Sequence, residues 1–185
     1  MEIGYKDLRE WLARAETMGE VRVEKSIDLK EDVGRIAEVS ASTENGPAII
    51  LDEFEGYQKG YRILLNPFGT TKLIGWSYGW PALNGTRLEL LDYLKKGLTE
   101  LALVPPKYVD KGPVLENVMM NDEVDLSRFP VPKWHPEDGG PYIGTGCLVI
   151  TKDPDEGWVN AGTYRNQLHD KKSVGFYVSP GHHGR

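Results

Sequence analysis

The sequence predicts a mixed α/β (α+β) fold in which helices and short strands come first and a β meander comes last. Three observations carry that expectation. Before residue 104, apolar residues recur at three- and four-residue steps in three stretches, the signature of amphipathic helices. Two short apolar runs lie among them and read as strands. After a Pro/Gly-rich passage, the last forty residues alternate β-rich runs with turn signals.

The first helix is expected from Tyr5 to Met18, with Leu8, Trp11, Leu12, Ala15 and Met18 on one face, Asp7 near its start and Gly19 past its end. A short β-rich piece, Val21 to Val23, leads to a second helix over 29–42. Its plausible cap is Asp28, and its apolar line is Val33, Ile36, Ala37 and Val39. Strands follow at 47–51 and 61–65, the second stopped by Asn66-Pro67. Both are apolar on two faces, as suits the middle of a sheet covered by helices. A third helix spans about 86–101, with Leu88, Leu91, Leu94, Leu98 and Leu101 as its buried face.

Between the last strand and that helix, Trp76, Tyr78 and Trp80 stand at alternate positions among glycines. A strand burying one aromatic face accounts for them; a platform for substrate or flavin is the competing reading.

The passage from Val104 to Pro113 is the expected domain boundary, dividing an α/β domain at 1–104 from a β-rich domain at 114–185, with 105–113 as linker. Residues 129–136 must be extended, because each proline disfavours helix at the residue before it. The turn Asp138-Gly139-Gly140 is expected to start a strand over 142–150. Runs at 147–152 and 158–168 flank the turn at 153–157 and form a hairpin. A third run, 173–179, follows a polar turn and ends at Pro180-Gly181, which leaves the final residues as a loop beyond a strand end. His135, beside Trp134 and Pro136, reads as a packed or surface histidine, and His169 as a solvated turn residue.

Charge and cysteine usage narrow the function classes. A net charge of −6 without a Lys/Arg run argues against nucleic acid or an anionic membrane as the main partner. No stretch has the length of a membrane span and the start lacks a signal peptide's pattern, so a soluble, cytoplasmic protein is expected. Cys147 is the single cysteine, which excludes an internal disulfide framework and a cysteine zinc site; a buried structural thiol is expected there.

Four motifs occur in order: Asp138-Gly-Gly-Pro-Tyr-Ile143, Lys152-Asp-Pro154, Asn160-Ala-Gly-Thr-Tyr-Arg165 and Pro180-Gly-His-His-Gly184. Together with the Lys6 to Trp11 opening and the Val124 to Pro132 approach, they resemble the UbiD family, reversible decarboxylases that use prenylated flavin mononucleotide. The resemblance implies that residues 114–185 begin a split β-barrel, flavin-reductase-like domain that is incomplete in this chain. It also implies the ligands. Asn160 and His183 match the family's manganese ligands, a mixed oxygen and nitrogen set that suits manganese or magnesium, with potassium as a further ion. Ala161, Gly162, Thr163, Tyr164, Pro180 and His182 match cofactor-binding positions. Arg165 matches the catalytic arginine beside the reactive end of the flavin, where its planar fork pairs with the substrate carboxylate or its acidic partner.

Strand geometry adds a constraint of its own. Five residues at ~3.3 Å each separate Asn160 from Arg165 by about 16 Å, roughly the length of flavin mononucleotide. Residues five apart on a regular strand face opposite sides, so a bulge or bend has to intervene if both meet one ligand. Gly162 is the natural place.

By the same resemblance, a third metal-ligating glutamate, a proton-donating glutamate and the rest of the barrel are expected on a second chain or further fragment. The chain alone is then expected to be inactive. Completed, it would remove CO₂ from an aromatic or α,β-unsaturated carboxylic acid, as a homo-oligomer. The alternative is a non-catalytic flavin- and metal-binding module.

Overall fold

A computed structural model of the 185-residue chain describes residues 2–184 apart from 103 and 106, so Pro106 of the expected linker lies outside the described residues. The chain divides into two compact units. One comprises 1–27, 36–53 and 62–116; the other comprises 28–35, 54–61 and 117–185.

The first unit is helical on a small sheet. Helix α1, Leu8–Thr17, begins where the Asp7 carboxylate accepts from the Arg9 and Glu10 amides, satisfying two of the backbone donors that a helix start leaves open. Trp11, Leu12 and Ala15 are its buried stripe, while Leu8, counted on that face from sequence, is exposed. Strands β1 (Val21–Ile27), β2 (Ala48–Phe54) and β3 (Arg62–Leu65) form a sheet in that order, with β2 and β3 antiparallel and Leu51 opposite Ile63. Ala48, Ile50 and Leu51 are buried on the central strand, which explains its apolar run. Trp11, Leu12, Ala15, Ala48, Ile50 and Leu73 make one continuous core.

Helix α2, Asp32–Ser42, follows a turn in which Asp28 accepts from the Lys30 and Glu31 amides. Val33 is fully buried, as its apolar line requires, but Val39 is exposed and Ser40 is buried in its place. The Ser40 hydroxyl donates to the Ala37 carbonyl, which satisfies the buried polar group.

The aromatic triplet is not on a strand. Residues Thr71–Ser77 form helix α3, capped by the Thr70 hydroxyl, which accepts from the Leu73 amide, and ended by Gly79 at φ +69°. The glycines around the triplet serve a helix stop and close packing: a side chain at Gly79 would meet the Glu2 carbonyl, and one at Gly75 the Trp80 ring.

Helix α4, Arg87–Thr99, opens with a capping box. The Thr86 hydroxyl accepts from the Glu89 amide, and the Glu89 carboxylate accepts from the Thr86 amide. Its buried residues are Leu90 and Gly97. Leu88, Leu91, Leu98 and Leu101, expected inside, are exposed. The apolar spacing was that of a helix, but the face turned to the core is the one carrying Leu90 and Gly97.

In the second unit, β-structure begins later than the composition suggests. Two short 3-10 turns, Asn121–Glu123 and Leu126–Arg128, precede an extended passage. Leu29 accepts at its carbonyl from the Lys133 amide, and Gly34 approaches Trp134 so closely that a Cβ there would collide with the Trp134 carbonyl. The expected strand over 142–150 is two strands, β4 (Tyr142–Ile143) and β5 (Val149–Lys152), parted by a turn with Gly144 at φ +76°. Cys147 sits in that turn, half-buried, and its Sγ donates to the Tyr164 carbonyl at 3.2 Å. The expected run 158–168 is likewise two strands, β6 (Val159–Gly162) and β7 (Asn166–Leu168), and β8 is Val174–Phe176. β5 and β6 form an antiparallel hairpin, while β4, β7 and β8 form a separate antiparallel sheet in the order β4-β7-β8.

Candidate functional site

The passage from β6 to β7 is where the chain leaves one sheet for the other. On β6 the side chains alternate, so Asn160 and Gly162 lie on the half-buried face while Val159 and Ala161 are exposed. Thr151 stands opposite Asn160 in the ladder. The regular strand stops directly after Gly162, and 163–165 carry no ladder before β7 begins.

Tyr164 anchors this break. Its ring lies against the bare backbones of Gly162 and Gly184 and stacks edge-on to Phe176, centroids 5.5 Å apart. Thr163, Tyr164 and Arg165 then line a cleft of about 660 Å³, together with Tyr142, Gln167, Tyr177 and His182. A volume of that order is typical for a cofactor or small ligand.

Arg165 is held from behind. Its Nη1 lies 3.3 Å from the Asp138 carboxylate, and its guanidinium carbon lies 4.0 Å over the centre of the Tyr142 ring. Asp138 is fixed in turn, since its carboxylate accepts from the His135 amide. The glycines after it allow the turn to press on β7, where a side chain at Gly140 would meet the Gln167 amide.

The expected site residues divide. Thr163, Tyr164, Arg165 and His182 line the one cleft. Asn160, Ala161, Gly162, Pro180 and His183 do not line it. His183 is exposed and meets Trp158 edge-on, centroids 5.8 Å apart. Tyr142, Gln167 and Asp138 were not singled out from sequence as site residues; the Asp138 to Ile143 motif was the signal that could have found two of them.

Asn160 carries a second clue. Its amide nitrogen is buried and has no hydrogen-bond partner among the described residues, an unusual state for a buried polar atom. A phosphate oxygen, which accepts, is the kind of group that would complete it, so a phosphorylated flavin fits the residues present. A metal fits less well. Among the described residues there is no group of three or more His, Cys, Asp and Glu that could hold one, so the donor set for an octahedral ion is incomplete.

Comparison with known proteins identifies the domain. Residues 107–185 match the family model described as the 3-octaprenyl-4-hydroxybenzoate carboxy-lyase Rift-related domain, UbiD. The likeness to solved UbiD-class structures runs over nearly the whole chain. Sedimentibacter hydroxybenzoicus vanillic acid decarboxylase, in an open form with truncated ShVdcD, matches at 28% identity and a TM-score of 0.81 over 93% of this chain. The UbiD-class enzyme HmfF from Pelotomaculum thermopropionicum, in an evolved dimeric form in complex with prFMN, matches at 26% identity and a TM-score of 0.74 over 95% of it. The apo 3,4-dihydroxybenzoic acid decarboxylase of Enterobacter cloacae shares the fold, at 20% identity and a TM-score of 0.80 over 97% of this chain. This chain covers 37%, 39% and 38% of those chains respectively. Its mixed α/β architecture with small sheets is that of a UbiD N-terminal portion. Among the described residues, no helix is long and apolar enough to cross a membrane.

Proposed function

We propose that this chain is part of a UbiD-like carboxy-lyase that uses prenylated flavin mononucleotide to remove CO₂ from an aromatic or α,β-unsaturated carboxylic acid. The observation that carries the reading is Arg165, fixed by Asp138 and Tyr142 at the wall of a ligand-sized cleft in a UbiD domain. Prenylated flavin, when bound, supplies an electron sink for the carbanion character left as CO₂ departs. The residues of this chain bind and orient.

With one Nη committed to Asp138, the remaining donors of the Arg165 fork would take a carboxylate in two hydrogen bonds. Tyr164, Phe176 and Tyr142 present aromatic surface suited to a flat ring system. Asn160 would meet the flavin phosphate with its unpartnered amide nitrogen. The solved enzymes are longer than this chain, so the proton donor and the remaining wall of the pocket are assigned to the portion that this chain does not contain, supplied as further sequence or a companion chain.

The test is CO₂ exchange by the completed, flavin-loaded protein across a panel of aromatic and α,β-unsaturated acids. Turnover with at least one acid, reduced roughly 30- to 1000-fold by Arg165→Ala, is expected from the loss of one charge-assisted hydrogen-bonding partner. Flavin retention without exchange on any acid would overturn the catalytic reading in favour of a binding module.

A further inference from the structure

We infer that Asp138 is the positioning residue for Arg165, selecting the one orientation of its fork that reads a carboxylate in the cleft. The inference rests on the assignment of Arg165 as the carboxylate-binding group and adds the residue through which that group is aimed.

Three features single out Asp138. Its side chain is only 10% exposed while that of Arg165 is 48% exposed, so the anion is fixed and the cation is the partner with freedom to lose. Asp138 sits 27 residues upstream in the turn 135–138, where its amide donates to the His135 carbonyl and its carboxylate accepts from the His135 amide. The first bond fixes the backbone of the turn and the second holds the carboxylate, both independently of Arg165. Tyr142, the second surface against Arg165, is tied to the same passage: its amide donates to the Pro132 carbonyl, and its carbonyl accepts from the Trp134 indole nitrogen. The passage from Pro132 to Tyr142 thus holds the guanidinium at one edge and one face.

The consequence concerns how the fork is used. An exposed arginine samples many rotamers, and fixing it on ligand binding costs entropy at that step. Held at Nη1 by Asp138 and at its face by Tyr142, Arg165 meets the ligand with that cost already met and two donor directions open.

The experiment uses this chain with ¹⁵N-labelled arginine, benzoate as the probe, and the Arg165 Nε–Hε signal, assigned by its disappearance in Arg165→Ala. In the wild type, that signal should show the heteronuclear NOE of an ordered side chain. Asp138→Asn, which preserves shape, should lower it to the mobile range and weaken benzoate binding about fivefold or more. On an Arg165→Ala background, Asp138→Asn should change benzoate binding no further, whereas a merely structural role for Asp138 would weaken it in both backgrounds. An unchanged NOE, unchanged or tighter binding, or an equal loss in both backgrounds overturns the inference while the carboxylate reading stands. If wild type and Arg165→Ala bind benzoate equally, the carboxylate reading of the cleft fails and this inference fails with it.

Discussion

The ring of Tyr164 occupies the space that a side chain at Gly162 would need: a Cβ there would lie 2.5 Å from the ring. The same ring fills the space over Gly184, where a Cβ would meet the Tyr164 hydroxyl at 2.7 Å. That ring is wedged against both glycines and edge-on to Phe176, so it cannot yield cheaply. Gly162→Ala is therefore expected to destabilise the protein by about 1–3 kcal/mol, the usual cost of overpacking. It should also shift Tyr164 out of the cleft wall. Urea unfolding together with flavin affinity checks this, and an alanine variant with unchanged values of both would show that the close approach has no consequence.

In the first unit, the buried Trp11 indole nitrogen donates to the Ser77 hydroxyl at 2.9 Å, and that hydroxyl donates to the Leu73 carbonyl at 2.7 Å. Ser77→Ala removes the acceptor and leaves the indole N–H unsatisfied in the core. The expected cost is about 1–3 kcal/mol, the desolvation penalty of one orphaned donor. Chemical denaturation followed by tryptophan fluorescence measures it, with a loss below a few tenths of a kcal/mol counting against the role.

Glu89 gives a pH dependence. Its carboxyl is held below the ordinary 4.5, first by the Thr86 amide and then by the Thr86 hydroxyl, with burial opposing. A carboxyl lowered on folding gives stability that is fully present above its unfolded value and is lost as pH falls through its folded one. Asp7 and Asp28 are lowered in the same sense by the Glu10 and Glu31 amides. Stability should therefore decline on acidification below about pH 4.5. In acid titrations followed by circular dichroism, Glu89→Gln should flatten part of that decline, and an identical slope in the variant would argue that the capping box contributes nothing.

Asn160 separates stability from ligand capture. Its buried, unpartnered amide nitrogen is a cost to the unliganded protein, so Asn160→Ala should alter the thermal stability of the flavin-free chain by less than about 1 kcal/mol, the lost packing offsetting the removed penalty. Flavin retention in the completed protein should nevertheless fall sharply. A variant that is much less stable yet retains flavin fully would reverse the assignment.

What the sequence could show depended on whether the signal was local. Asp7, Thr86 and the Asp153 turn act within a few residues of themselves, so the ends of α1 and α4 and the β5–β6 hairpin were legible. Trp76, Tyr78 and Trp80 misled because alternation over three aromatics resembles a strand, while the decisive features were the Thr70 cap and the Gly79 stop. The leucines of α4 have helical spacing, but periodicity does not say which face meets a neighbour, and Leu90 with Gly97 was chosen by packing. At the candidate site, the strand at Asn160 and the break at Gly162 were readable, but that residues 163–165 leave the ladder altogether was not. The Asp138 grip on Arg165 was not, because a contact across 27 residues leaves no local trace.

The nesting of the β5–β6 hairpin between β4 and β7 also sets an order of events in folding. Closing β4 onto β7 directly requires the whole of residues 144–165 to form one loop, and the entropy of closure grows with loop length. A hairpin with a tight turn forms in roughly 1–10 μs on its own. Once residues 149–162 have paired, only the short arms 144–148 and 163–165 remain to be drawn together. The arm that carries Thr163, Tyr164 and Arg165 is thus the closing link of this unit, and its backbone is fixed only when both sheets already exist. A kinetic trap in the hairpin would show itself as a cleft that has not yet formed.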